Sequence, residues 1–219
     1  MTAFIVHGSP FSPYVQSVLI TLAEKGQAGV VQALGSGGLK AEPHLSLHPF
    51  GMIPVLQHDD FTLYETQAIL RYLDRTLPQP ALTPSAPQAA ARMDQLMNIN
   101  DWYLFQGVAS VIGFQRIVGP RLLGLATDEA AIAASMPKAH SVFSELARQL
   151  DGKPFFVGES VSLADVMLAP QLDFLRDTPE WEPLTAGREN LRAWLERMNT
   201  RPSMAATTWQ RVAGMANAA

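Results

Sequence analysis

Apolar and polar positions change period along this chain, and the changes mark its elements. Residues 2–7 form a short apolar run, and residues 13–25 carry Val15, Val18, Leu19 and Leu22 at three- and four-residue spacing. This predicts a strand and then a helix stopped by Gly26. A second strand follows near residues 30–33, then a Gly-rich stretch over 34–40 that is expected to be mobile, and a short helix around 43–47 that should end at Pro49. Residues 53–57 and 61–64 flank an Asp59-Asp60 turn and predict a hairpin, with a helix over 65–77 behind it. The order β-α-β-α-β-β-α is compact and closes by about Leu77.

Pro78, Pro80, Pro84 and Pro87 place four of the sixteen prolines within ten residues, so neither a helix nor a central strand can cross them. Beyond them the period is helical throughout: residues 88–118, 128–150, 163–175, 189–200 and 204–215. The expected organisation is an α/β domain over 1–78, a Pro-rich linker over 79–87 and an all-helical domain over 88–219. Ser162-Leu163-Ala164-Asp165 reads as a capping box, with Val161 and Val166 placed as its hydrophobic staple.

Composition narrows the chemistry. With 47% hydrophobic and 16% charged residues the chain can fill a substantial core without staples, and a net charge of -4 with no basic run argues against nucleic acid or an acidic membrane surface as partner. No stretch approaches the roughly 20 apolar residues of a membrane span, and the expected location is cytoplasmic. The absence of cysteine excludes disulfides, thiolate metal sites and any mechanism that uses a protein thiol, so sulfur chemistry must come from a ligand. The five histidines show no metal spacing.

Two places carry candidate chemistry. The turn Ser9-Pro10-Phe11-Ser12 puts hydroxyls at the N-terminal end of a helix, where free amides and the helix dipole favour a negative charge. A serine is too weak an acid to act alone as a base and has no Asp-His pair near it in sequence, so its useful role is to donate a hydrogen bond to a bound anion. Both serines are also what a Pro-started helix uses as caps. About forty residues on, Ile53-Pro54-Val55 precedes Glu65-Thr66, an acid and a hydroxyl at a second helix N-terminus.

The run His48-Pro49-Phe50-Gly51-Met52-Ile53-Pro54-Val55-Leu56 resembles Asn-Pro-Phe-Gly-x-Val/Ile-Pro-Val-Leu of the glutathione transferase superfamily, and Glu65-Thr66-Gln67-Ala68-Ile69 resembles its Glu-Ser-x-Ala-Ile. The resemblance runs from end to end of the chain and is to the serine-type phi, tau and zeta classes. It implies a thioredoxin-like N-terminal domain plus an all-α C-terminal helical bundle, with the active site in the cleft between them. It further implies a homodimer, glutathione as co-substrate with no metal, and conjugation of glutathione to a hydrophobic electrophile in detoxification. A non-catalytic glutathione-binding or interaction module, or a glutathione-dependent isomerase or peroxidase, is the alternative.

Carried over residue by residue, the resemblance gives Ser9 the catalytic serine of the tau and zeta classes and Ser12 that of the phi class. Ser9 is preferred because Ser-Pro-Phe repeats the Cys-Pro-Phe/Tyr pattern of cysteine-type relatives, and Tyr14 is a third hydroxyl. Phe11, Lys40, Met52, Ile53, Pro54, Glu65 and Thr66 would hold glutathione. Lys40 would serve the glycyl carboxylate, the backbone of Ile53 would pair with the cysteinyl residue ahead of a cis-proline, and Glu65 and Thr66 would bind the γ-glutamyl end. Met52 stands where many classes have Lys or Gln, and His48 where the family has Asn. The electrophile pocket is expected from Trp102, Tyr103, Gln106, Phe114 and Arg116, with Phe105 and Trp209 near it, and the capping box has a folding role.

Overall fold

The computed structural model describes residues 3–34 and 37–216. Thr2 of the first expected strand and Gly35 and Ser36 of the Gly-rich stretch lie outside the described residues. The chain divides into two compact units, Met1–Leu82 with Asn199–Ala219, and Thr83–Met198. Contacts therefore group the last stretch with the N-terminal unit, whereas the sequence reading assigns it to the helical domain.

The first unit is built on a four-stranded sheet of order β2-β1-β3-β4, from β1 (Phe4–Gly8), β2 (Gly29–Ala33), β3 (Val55–His58) and β4 (Phe61–Tyr64). β1 and β2 are parallel and the other pairs antiparallel, with Val6 opposite both Val31 and Leu56. A parallel pair needs a crossover, which α1 (Pro13–Glu24) supplies. Its Val15, Val18, Leu19 and Leu22 are buried, as the spacing predicts. It packs against α3 (Thr66–Thr76), whose Ile69, Leu70 and Leu73 are buried. Between the two lie a single tight turn at Gly38–Lys40 and the short α2 (His44–Leu47).

Polar contacts fasten the ends of these elements. Lys25, with no exposed side-chain surface, donates to Asp74 at the end of α3 and to the Pro80 carbonyl, while Leu82 N donates to Asp74 Oδ1 at 2.9 Å. The start of the Pro-rich stretch is thus pinned to α1 and α3. From the C-terminal end, Arg201 makes a bidentate pair with Glu24 at 2.7 Å on both arms, and Ser203 donates to the same carboxylate. α10 (Pro202–Ala206) packs on α1 and α11 (Trp209–Ala216) on β2, so the expected single terminal helix is two, separated at Thr207 and Thr208. Burial raises the Glu24 carboxyl, but the hydrogen bonds from Arg201 and Ser203 and the Arg201 charge outweigh it and hold it below the usual value.

In the second unit α4 (Pro87–Ile99), α6 (Glu129–Leu150) and α7 (Leu163–Arg176) form the main helices, with α5 (Ser110–Gly113), α8 (Trp181–Thr185) and α9 (Glu189–Asn199) between and after them. Every residue of α7 from Leu163 to Leu172 is buried, the mark of a central helix. The helix expected over 88–118 is broken. After α4 the backbone widens over Asn100–Ala109 and leaves helical geometry at Gln106 (φ -69°, ψ 111°) and Gly107 (φ 82°). Only glycine reaches that φ without strain, and the orphaned groups find partners: Lys138 donates to the Gln106 carbonyl, and Gly107 N donates to Ser110 Oγ at 3.2 Å. A second widened stretch, Phe114–Leu122, follows α5.

The capping box forms as its spacing predicts. Asp165, fully buried, accepts at Oδ2 from Ser162 N (2.9 Å) and Ser162 Oγ (2.7 Å) and at Oδ1 from Phe156 N (2.9 Å) and Trp194 Nε1 (2.9 Å). Burial pushes its carboxyl up while the four donors pull it down.

Candidate functional site

The candidate site of the first unit lies where β1 and β4 end and β3 begins, at the start of α1 and α3. Ser12 is the N-cap of α1, its Oγ accepting from Val15 N at 3.4 Å, with Pro13 in the first helical position. Ser9 opens the turn: Ser12 N donates to its carbonyl at 3.0 Å, and Phe11 N donates to its Oγ at 3.3 Å. Both hydroxyls accept from backbone amides, which leaves each O–H proton available to a ligand at the positive end of a twelve-residue helix. The Phe11 ring stacks on Trp209 of α11, with centroids 5.1 Å apart. The sequence reading left Trp209 near the electrophile pocket of the helical domain, and it sits against the serine turn.

Register brings the second motif to the first. His7 pairs with Val55 and Val55 with Tyr64, so the residues just beyond these pairs, Gly8, Pro54 and Glu65, flank one another. A Cβ added at Gly8 would collide with the Val15 side chain and stand 3.6 Å from Ile53 Cβ, so the backbone there is packed closely against both. The Ile53-Pro54 bond is cis. Glu65 precedes α3 at φ 70°, an uncommon conformation for a residue with a side chain, and is exposed. Thr66 beside it is 8% exposed at the first position of the helix.

The segment between the motifs is laced from behind. Lys40 Nζ donates to the Phe50 carbonyl at 2.8 Å, His44 Nε2 lies 2.8 Å from the Met52 carbonyl oxygen, and Gly51 N donates to the His48 carbonyl at 2.8 Å. Lys40 is therefore held against the segment that leads to Ile53, across a ten-residue separation. The Met52 side chain is exposed. His48 is buried and its ring lies tilted against Tyr64, with centroids 4.5 Å apart. Its pKa is lowered, first by burial and then by the His44 and Lys40 side chains, against an upward pull from Glu65. His44, which the sequence reading does not single out, is buried on the four-residue helix α2 just ahead of the Pro-Phe-Gly run.

In the second unit Trp102 and Tyr103 are 60% and 56% exposed, and Gln106 and Phe114 are also exposed. Arg116 is engaged by two carboxylates: Nε and Nη2 donate to Glu180, while Nη1 and Nη2 donate to Glu129. The two carboxylates raise its pKa. Among the described residues no group of three or more His, Cys, Asp or Glu could hold a metal ion, and no helix is long and apolar enough to cross a membrane.

Family profiles for the glutathione S-transferase N-terminal and C-terminal domains match residues 6–81 and 129–197. A glutathione S-transferase of Hyoscyamus muticus is 31% identical over 202 residues, covering 90% of this chain and 94% of the relative. The chain belongs to the glutathione S-transferase family. Two solved structures agree with the fold. Glutathione S-transferase III in apo form superposes with a TM-score of 0.83 at 30% identity, covering 94% of this chain and 95% of its own. A theta class glutathione S-transferase from Xanthomonas axonopodis pv. citri with glutathione bound gives 0.83 at 27%, covering 95% and 98%. The N-terminal profile falls on the sheet-bearing part of the first unit, which has the thioredoxin-like fold of this family, and the C-terminal profile falls within the helical second unit.

Proposed function

We propose that this glutathione S-transferase ionises glutathione at the serine turn, with Ser12 as the hydroxyl that donates to the thiolate. The observation that carries the assignment is that Ser12 caps α1: its oxygen is fixed by the Val15 amide at 3.4 Å, and its proton is left for an anion where the helix dipole is positive. Ser9, which leads on the sequence pattern, opens the same turn and is the second candidate. A free thiol of pKa about 8.5 is only a few per cent ionised at neutral pH, and each unit of depression corresponds to about 1.4 kcal/mol in favour of the anion. A charge-assisted hydrogen bond of about 1.5–3 kcal/mol supplies one to two units.

Glutathione is assigned to the backbone of Ile53, to Glu65 for its ammonium and Thr66 for its γ-glutamyl carboxylate, and to Lys40 for the glycyl carboxylate. Phe11, Met52 and Pro54 complete its surroundings. The thiol proton passes to solvent, and the thiolate sulfur forms a bond to an electrophilic carbon. The leaving group departs with its electron pair, or, for an activated double bond, the second carbon takes up a proton. The apolar electrophile is assigned to Trp102, Tyr103, Gln106 and Phe114, and Arg116 is omitted because Glu129 and Glu180 engage it. A cytoplasmic homodimer working in detoxification is the expected setting.

The test is an ultraviolet titration of thiolate absorbance for the protein saturated with glutathione, in wild type, Ser9→Ala and Ser12→Ala. The expected result is a thiolate band near neutral pH that Ser12→Ala shifts to higher pH by one to two units. Loss of the band in Ser9→Ala alone would move the role to Ser9, and glutathione bound without any band would turn the reading to a binding module.

A further inference from the structure

We propose that His44 is a positioning residue for glutathione, acting through the peptide group that joins Met52 to Ile53. The inference rests on the assignment of Ile53 as the backbone partner of the ligand. A carbonyl oxygen only accepts, so the 2.8 Å contact from His44 Nε2 to Met52 O fixes the proton on Nε2. The carbonyl of Met52 and the N–H of Ile53 belong to one peptide plane, and in a trans peptide they point in opposite directions. Holding the carbonyl from α2 therefore aims the Ile53 N–H away from α2. A donor on the carbonyl also polarises the amide and makes its N–H a stronger donor.

Two features indicate that the ring is there for this bond. His44 is 1% exposed, and its Nδ1 is buried without a hydrogen-bond partner. An apolar side chain would fill the same space without burying an unpartnered ring nitrogen, so packing alone gives no reason for a histidine. The bond is also part of a lacing, because Lys40 holds the Phe50 carbonyl two residues earlier at 2.8 Å. Held at both points, the segment reaches Ile53 with its orientation set before a ligand arrives, which lowers the ordering required on binding.

The experiment compares wild type, His44→Leu and His44→Gln for glutathione and S-methylglutathione affinity by calorimetry, for steady-state KM and kcat, and for bound-thiol pKa. The expected result for His44→Leu is about a five-fold weaker affinity for both ligands and a matching rise in KM, with kcat and thiol pKa unchanged. His44→Gln, whose amide can donate to the same carbonyl, should recover most of the affinity. Far-UV circular dichroism checks folding, and His44→Met replaces His44→Leu should the latter not fold. Unchanged affinity in the apolar variant, or equal loss in the apolar variant and His44→Gln, overturns the proposal. A wild type that does not bind glutathione overturns the functional assignment on which it stands, so the two failures are distinguishable.

Discussion

Replacing Asp165 by asparagine swaps one carboxylate oxygen for an amide group in a place where all four facing groups are donors. With the amide nitrogen at the Oδ1 position, Phe156 N–H and the Trp194 indole N–H both lose their acceptor. At the Oδ2 position only Ser162 N–H does, because the Ser162 hydroxyl can turn and accept from the new amide. The second arrangement is the cheaper, and one stranded buried N–H costs about 1–3 kcal/mol. Adding the weakening of the remaining bonds as the charge is lost, Asp165→Asn should destabilise by about 2–3 kcal/mol. Asp165→Ala, which strands three N–H groups, should cost about 4 kcal/mol or more, and Ser162→Ala about 1 kcal/mol. Urea unfolding followed in parallel by far-UV circular dichroism and tryptophan emission measures the series. An Asp165→Asn midpoint within about 0.5 kcal/mol of wild type, or a larger loss for Ser162→Ala than for Asp165→Asn, would refute the account of this carboxylate as a four-fold acceptor.

Lys25→Met removes the buried ammonium that joins the Asp74 carboxylate to the Pro80 carbonyl, and should cost about 3–5 kcal/mol in thermal or urea unfolding. The double variant Lys25→Met/Asp74→Leu should recover part of that loss, and a neutral single variant would contradict the pairing. His48 has a lowered pKa, so protonation favours the unfolded chain: its contribution is present above the unfolded-state value near 6.5 and is lost as pH falls below that. Stability measured from pH 7.5 to 5 should therefore fall more steeply in wild type than in His48→Asn, and parallel curves would show that the buried imidazole is not the group responsible.

Much of this protein was legible without coordinates, and for a common reason. Periodicity, proline and caps act over a few residues, so the strands, α1 and α3 with their buried Val15, Val18, Leu19, Ile69 and Leu70, and the Ser162–Asp165 box follow from neighbours in the chain. The two candidate motifs were equally local: a hydroxyl-bearing turn ahead of one helix, and an acid with a hydroxyl ahead of another. What the sequence did not determine is which distant group each side chain meets. Arg116 carries the same charge whether it faces a ligand or Glu129 and Glu180, and only the packing of its unit selects the carboxylates. The break at Gln106 and Gly107 inside the helix expected over 88–118 is another such case, because Lys138 and Ser110 satisfy the opened backbone from elsewhere in the fold. The pairing of Arg201 with Glu24, 177 residues apart, draws the last stretch to the sheet unit although its helical period matches that of the other domain. His44 reaches the Met52 carbonyl because α2 and the end of the following loop converge in space. Local preferences set the elements; the partners of buried polar groups were decided by tertiary packing, because a hydrogen bond needs its donor and acceptor within about 3 Å, and a one-dimensional pattern carries no such distance.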